Sequence, residues 1–392
     1  MSLDPDDARW STVAGSVLPY GRQTIDEGDV DAVSRVLRGD WLTTGPAVDQ
    51  FEAGIAGCAG VSHPAVAVSS GTAALHTAYA ALKIGHGDEV VTTPLTFLAT
   101  ATCAIWQGAT VRFADVSEDT GNLDPDAVAA TVTGRTKVVA GVDYGGHPID
   151  APALCKVAHD AGAMLLEDAA HSIGGSLNGT PVGALADVTT FSFFPTKNLT
   201  TAEGGAVASN DAELLTRARA FKGIGMVRDS RLMRSKDVGA WYYEMPELGL
   251  NYRLPDVLAA LGANQLKRLQ SFKARRQAIA DRYHAGFGGL DVLRLPTHRQ
   301  GADPMWHLFP LRIQDGRRRQ LFEYLRENGV GAQVNYVPVY WQPYFADLGY
   351  RRGMCPVAES YYEQEISLPM FPSLADSDID RVIDLIRIFV EG

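Results

Sequence analysis

The first half of the chain alternates short apolar runs with segments of helical periodicity. Val66–Ser69, Glu89–Thr92, Thr110–Phe113, Lys137–Val142, Ala163–Leu166, Thr189–Phe194 and Ala206–Ala208 read as strands, most of them too apolar for a half-exposed face. Between them Ala73–Lys83, Phe97–Trp106, Leu123–Val132, Ile149–Ala161 and Asp211–Phe221 read as helices. That alternation predicts an α/β fold: a mostly parallel sheet with helices on both faces. Upstream, Ile25, Val30, Val33, Val36 and Leu37 recur at helical spacing behind the acids Asp26, Glu27 and Asp29, and a second helix spans Ala47–Ala59.

The pattern changes after residue 222. Gly223–Tyr252 is irregular and rich in Gly, Tyr and Met, and a stretch of that kind in an enzyme is functional or interfacial. Pro255 then opens one long helix to about Tyr283, with Leu258, Leu261, Leu266 and Leu269 on its apolar face. Strands at Trp306–Ile313, Ala332–Tyr336 and Ile366–Pro369, and helices at Gly316–Asn328, Ser360–Glu365 and Ser377–Phe389, predict a small α+β domain. The expected division is an N-terminal arm over 1–25, a large domain over 26–284 and a small C-terminal domain over 285–392. Pro19-Tyr20-Gly21-Arg22-Gln23 is too polar for core.

With 392 residues, 46% apolar and 21% charged, the chain has ample material for two cores. A formal charge of -11 argues against nucleic acid as a partner, and Arg317-Arg318-Arg319 reads as the solvated start of a helix. Cys58, Cys103, Cys155 and Cys355 have neither disulfide nor metal spacing, HExxH is absent, and no run reaches the length of a membrane span. Met1–Trp10 is acidic and polar, unlike a signal peptide, so the cytoplasm is the expected compartment. No GxGxxG follows a strand, and GxxxxGK[ST] is missing, which weakens dinucleotide and ATP readings.

The chemistry concentrates at strand exits. Lys197 follows Phe193, Phe194 and Pro195 in a polar bend that closes on Glu203-Gly204-Gly205. Asp168 ends the apolar strand Ala163–Leu166, and an acid buried there needs a partner. A lysine and an aspartate at the carboxyl edge of a parallel sheet face the place where such sheets hold ligands. Lys197 is therefore expected to hold an aldehyde cofactor, pyridoxal 5′-phosphate, as a Schiff base, with Asp168 facing the pyridine nitrogen. Ser70-Gly71-Thr72 lies between a strand and a helix and suits an anion, although a bare N-cap explains it equally well; Ser192 is a further candidate hydroxyl. Phe97 suits an aromatic stacked on the ring, or plain core; His171 either holds Asp168, lies under the ring, or is a satisfied core histidine. Such a set predicts transamination, with Lys197 as the base that moves a proton after the amino donor displaces it, and pyridoxamine phosphate as the intermediate form.

These motifs resemble the DegT/DnrJ/EryC1/StrS nucleotide-sugar aminotransferases over nearly the whole chain. The likeness rests on LTTGPAVDQFE at 42–52, SSGTAAL at 69–75, TPLTFLATA at 93–101, LEDAAHSIGG at 166–175, FSFFPTKNLTTAEGG at 191–205, GLNYRLPDVLAALGANQL at 249–266 and HLFPLRI at 307–313. It implies a fold type I large domain with a small C-terminal domain, Lys197 as the Schiff-base lysine, Asp168 as its aspartate, Phe97 on the ring and Ser192 on the phosphate. It also implies a homodimer in which Asn251 reaches the partner subunit's phosphate. Glutamate is the family's usual donor. The opening PYGRQTIDEGDVDAV at 19–33 is most similar to the branch that aminates C4 of UDP-linked 4-keto-6-deoxy-N-acetylhexosamines on the way to pseudaminic acid. A 4-keto-pentose, GDP-4-keto-6-deoxymannose, a sugar dehydratase and a non-catalytic regulator are the competing readings. Arg22, Arg228 and Arg253 are the candidates for the acceptor's diphosphate. Two departures stand out: Phe221–Met226 lacks the family's histidine-glycine pair, and Ala202 replaces a common glycine, a change of little cost unless positive φ is required.

Overall fold

The computed structural model describes residues 17–236 and 238–392; residues 1–16 of the expected arm lie outside them. A seven-stranded sheet forms the centre. Its strands are β1 (Val66–Val68), β2 (Glu89–Thr92), β3 (Thr110–Phe113), β4 (Thr136–Val142), β5 (Met164–Asp168), β6 (Val188–Ser192) and β7 (Gly205–Ala208). The order across the sheet is β1-β7-β6-β5-β4-β2-β3. Pairings from β6 to β3 are parallel, whereas β7 runs against both β6 and β1.

Successive residues of these strands enter different cores. Val138, Ala140 and Leu166 join one cluster, Val139 and Leu165 another on the opposite face. Both faces are covered, which is why the strands read as continuous apolar runs. Helices α1 (Glu27–Leu37), α2 (Pro46–Ala59), α3 (Gly71–Ala81), α4 (Ala99–Trp106), α5 (Pro125–Thr131), α6 (Ala151–Asp160) and α7 (Ala212–Lys222) accompany the sheet. The alternation therefore appears as the sequence predicts it.

Helix α1 departs from its amphipathic reading. Val30 and Leu37 are 49% and 59% exposed, and Ile25 just before the helix is 47% exposed. The helix is instead fastened through Asp29, which is fully buried and accepts hydrogen bonds from Asn264 Nδ2 (2.8 Å), Gln265 Nε2 (2.6 Å) and Arg268. A capping box between Asp26 and Asp29 closes its first turn.

The long helix expected from Pro255 is two helices, α8 (Asp256–Leu266) and α9 (Leu269–Phe287). Arg268 leaves helical backbone at the break, and its guanidinium pairs with Asp26 and Asp29. Helix α9 does bridge the two regions: Leu269 and Phe272 pack in the large core, Ile279, Tyr283 and Phe287 in the smaller one. That smaller C-terminal region carries an antiparallel sheet of β8 (Leu293–Arg294), β9 (Phe309–Ile313) and β10 (Glu365–Leu368). Helices α10 (Arg318–Glu327), α11 (Pro343–Asp347), α12 (Pro356–Gln364) and α13 (Asp376–Glu391) complete it. Ala332–Tyr336 is no strand. Gln333 alone bridges Ser367, because the next ladder donor, Asn335 N–H, goes to the Glu365 carboxylate (2.7 Å). Tyr20 is half-buried against the core, contrary to the polar reading of its segment.

Among the described residues no helix is long and apolar enough to cross a membrane. Ala202 has φ 65°, so the glycine common at this position has a conformational reason. A left-handed conformation costs a residue with a Cβ about 1–2 kcal/mol. Ala202→Gly is expected to raise unfolding stability by about 1 kcal/mol after the added chain entropy is subtracted, read as a higher urea midpoint at unchanged slope.

Candidate active site

The exits of β1, β6 and β5 meet at the carboxyl edge of the large sheet. β1 runs out through Ser69 into Ser70, the N-cap of α3, whose side chain accepts from Ala73 N–H at 3.0 Å. The free N–H groups and positive end of α3 thus open beside the end of β6. A Cβ added to Gly71 would lie 2.7 Å from Ser192 Cβ and 2.8 Å from its Oγ. Gly71 is therefore the residue that lets the buried Ser192 hydroxyl stand against the helix terminus. Ser70, Gly71, Thr72 and Ser192 thus form one cup of helix N-terminus and strand end, a geometry that suits an anion.

Beyond Ser192 the chain bends back, and Thr201 N–H bonds Phe193 C=O (3.0 Å) while Phe193 N–H bonds Gly204 C=O (2.9 Å). Lys197 sits in this reversal, half-buried. Asn198 anchors the turn by donating to the carbonyls of His171 and Met305. Burial lowers the Lys197 amine to about 8, and nearby Asp168 opposes that shift by favouring the charged form. Asp168 is buried at the end of β5, and its carboxylate accepts from Thr100 Oγ1 (2.7 Å) and Ala170 N–H (3.2 Å). Burial raises its pKa, while these two hydrogen bonds and Lys197 act against the rise. Glu167 serves the opposite face and accepts from Thr189 Oγ1 (3.0 Å) and Gly183 N–H (3.2 Å).

His171 does not hold Asp168. Its Nε2 lies 3.2 Å from the Tyr336 hydroxyl, and its ring packs on His307 with centroids 4.3 Å apart. Phe97 precedes α4, is 59% exposed, and meets Tyr336 edge-on at 6.4 Å. Arg22 lines a small cavity together with Lys197 and Arg276. Arg253 is half-buried where its backbone pairs with Val68, next to the cup. Asn251 is exposed and its backbone pairs with Gly223. Arg228 lies on the irregular excursion between 223 and 252, with its guanidinium 5.8 Å over the Tyr243 ring. Asn198, Thr100, His307 and Tyr336 escape the sequence reading. Asn198, Thr100 and Tyr336 meet their partners through hydrogen bonds, and His307 through ring packing, that neither periodicity nor spacing announces.

An anion cup, an amine of lowered pKa and a buried carboxylate on one sheet edge suit a phosphorylated aldehyde with a basic ring. The sequence pattern of the DegT/DnrJ/EryC1/StrS aminotransferase family matches residues 23–387. The chain belongs to this family. Over 381 residues it is 40% identical to the spore coat polysaccharide biosynthesis protein SpsC of Bacillus subtilis, covering 96% of this chain and 97% of that protein. The putative sugar aminotransferase Spr1654 of Streptococcus pneumoniae in its PMP form superimposes with a TM-score of 0.90 at 28% identity, covering 95% of this chain and 99% of that one. Its PLP form gives a TM-score of 0.89 at the same identity. Helicobacter pylori PseC, an aminotransferase involved in the biosynthesis of pseudoaminic acid, gives 0.89 at 30% identity, covering 96% of this chain and all of that one. This DegT/DnrJ/EryC1/StrS protein is thus a pyridoxal-phosphate-dependent aminotransferase of fold type I.

Two outcomes check the site of this aminotransferase. Gly71→Ala places a methyl group inside Ser192 and is expected to weaken pyridoxal phosphate binding by about tenfold or more, the equivalent of a moderate overpacking strain, in a fluorescence titration. Labelling of Lys197 in the apo-enzyme by an aldehyde with borohydride trapping, followed by mass spectrometry, should rise with pH through a midpoint near 8. Asp168→Asn removes the charge that favours the ammonium form, so that midpoint should fall.

Proposed function

We propose that the enzyme transfers an amino group from an amino-acid donor, L-glutamate, to C4 of a UDP-linked 4-keto-6-deoxy-N-acetylhexosamine. The observation that carries the transamination is the half-buried Lys197 amine lowered to about 8 beside the buried Asp168. At that value about one amine in ten is neutral at pH 7, against about one in three thousand for an ordinary lysine. The nucleotide-sugar class follows the family. The choice of sugar draws on the 19–33 segment and on the likeness to PseC.

Pyridoxal phosphate supplies the electron-withdrawing ring that acidifies the donor's α-carbon. In this reading Ser70, Gly71, Thr72 and Ser192 hold its phosphate. Phe97 and His171 would flank the ring, and the Asp168 carboxylate would stand opposite the ring nitrogen and favour its protonated form. Lys197 Nζ would hold the aldehyde, and the same amine, once free, would serve as the base that takes the proton from the donor's α-carbon. Arg22, Arg228 and Arg253 are assigned to the acceptor's diphosphate.

The active unit is read as a homodimer with Asn251 reaching the partner subunit's phosphate. Support comes from apolar side chains that a single chain leaves in water. Val30, Leu37, Trp41 and Leu42 lie on and beyond α1, and Trp241 and Leu248, 77% and 83% exposed, lie on the excursion. The cytoplasm and the three-part division of the chain complete this reading.

The purified holoenzyme is expected to be yellow and to lose that band when L-glutamate is added. Among UDP- and GDP-linked 4-keto sugars, the UDP-linked 4-keto-6-deoxy-N-acetylhexosamine should restore it fastest. Fastest recovery with a keto-pentose or a GDP-sugar would reassign the acceptor, and a yellow band indifferent to glutamate would reassign the donor. Lys197→Ala should lower turnover by at least about 10²–10⁴-fold, the usual worth of a positioned base.

A further inference from the structure

The wall of the site around His171 is completed by the C-terminal region. The Tyr336 ring lies nearly parallel to His171, with centroids 6.2 Å apart and 21° between planes. The phenol oxygen stands 3.2 Å from Nε2. On its other side His171 is backed by His307. Both imidazoles are buried, and Nδ1 of His171 has no hydrogen-bond partner among the described residues. A buried polar atom left open in this way points to a group that binds there. Burial and the Lys197 cation push His171 well below its ordinary value, so the ring is neutral and carries one proton.

Tyr336 is itself held in place through its neighbour. Asn335 N–H donates to Glu365 Oε2 (2.7 Å), and Asn335 Nδ2 donates to the Tyr20 hydroxyl and to Ser367 Oγ, both at 3.0 Å. The Asn335 carbonyl accepts from the Tyr144 hydroxyl. The N-terminal segment, the large sheet's flank and β10 thus fix one dipeptide. Its tyrosine has a short reach to a single nitrogen.

We propose that Tyr336 is a positioning residue whose hydroxyl donates to His171 Nε2, placing the ring proton on Nδ1 and presenting Nδ1–H as a donor to an anionic oxygen of the bound cofactor. The inference rests on the reading of His171 as a cofactor contact. A hydroxyl that only filled space would leave the tautomer of His171 unset.

The test uses full-length enzyme labelled with [¹⁵N]histidine, with and without pyridoxal phosphate. In the wild type, His171 should show a protonated Nδ1 and an unprotonated Nε2; a protonated Nε2 overturns the inference without any variant. Tyr336→Phe keeps the ring packing and should give a mixture of tautomers, with cofactor affinity lower by about fivefold, the usual worth of one hydrogen bond. In a His171→Asn background, Tyr336→Phe should change affinity no further. Unchanged ring nitrogens in Tyr336→Phe, or an equal loss of affinity in both backgrounds, overturns the role of Tyr336. His171→Asn with unaltered affinity instead removes the reading of His171 on which the inference rests.

Discussion

The close approach of three backbones at the sheet edge sets everything else in the site. Gly71 touches Ser192, and a Cβ on Gly205 would lie 2.4 Å from Ser70 C=O and 2.8 Å from Phe191 C=O. Strands β1, β7 and β6 can converge there only because two positions carry no side chain. That convergence puts the N-terminus of α3 beside a strand-end hydroxyl. An anion bound there meets backbone N–H groups, a helix dipole and Ser192 together.

The electrostatics of the edge follow from burial more than from charge counting. Asp143, Glu167 and Asp168 are all buried near one another. Burial raises Asp143 well above its usual value and takes Glu167 to about 7. Asp143 meets Ser172 Oγ and Ile149 N–H, and Glu167 meets Thr189 and Gly183. Asp168 alone of the three has Lys197 among the groups that lower it. Burial lifts all three carboxyls, and Asp168 is the one whose rise the lysine opposes.

Much of this was legible in the sequence because strands buried on both faces are apolar throughout, and because reactive residues at their exits stand out against such runs. Lys197, Asp168 and the 70–72 turn were readable for that reason. The break between α8 and α9 was not, since Lys267 and Arg268 are good helix formers and only the acids of a distant helix pull Arg268 aside. Helix α1 misled in the opposite way: its apolar stripe has the right period, yet Asp29 makes the intrachain anchor, Val30 and Leu37 are exposed, and Val33 and Val36 are only half-buried. Tyr336 and Thr100 each meet a site residue far away in the chain, 165 and 68 positions distant, and no local pattern encodes such a meeting.

The reversed direction of β7 has a further consequence, in chain entropy. A parallel neighbour needs a crossover, but β6 and β7 are joined directly through residues 193–204, the turn that carries Lys197. The other partner of β7 is β1, separated from it by residues 69–204. Loop closure for the first pairing costs about 2 kcal/mol less than for the second by the logarithmic length law. The two halves of the site therefore differ in how the chain secures them. The lysine turn closes over a short loop and is then pinned by Asn198 to the carbonyls of His171 and Met305, whereas the cup at Ser70–Thr72 forms only once a strand from far upstream has docked along its edge.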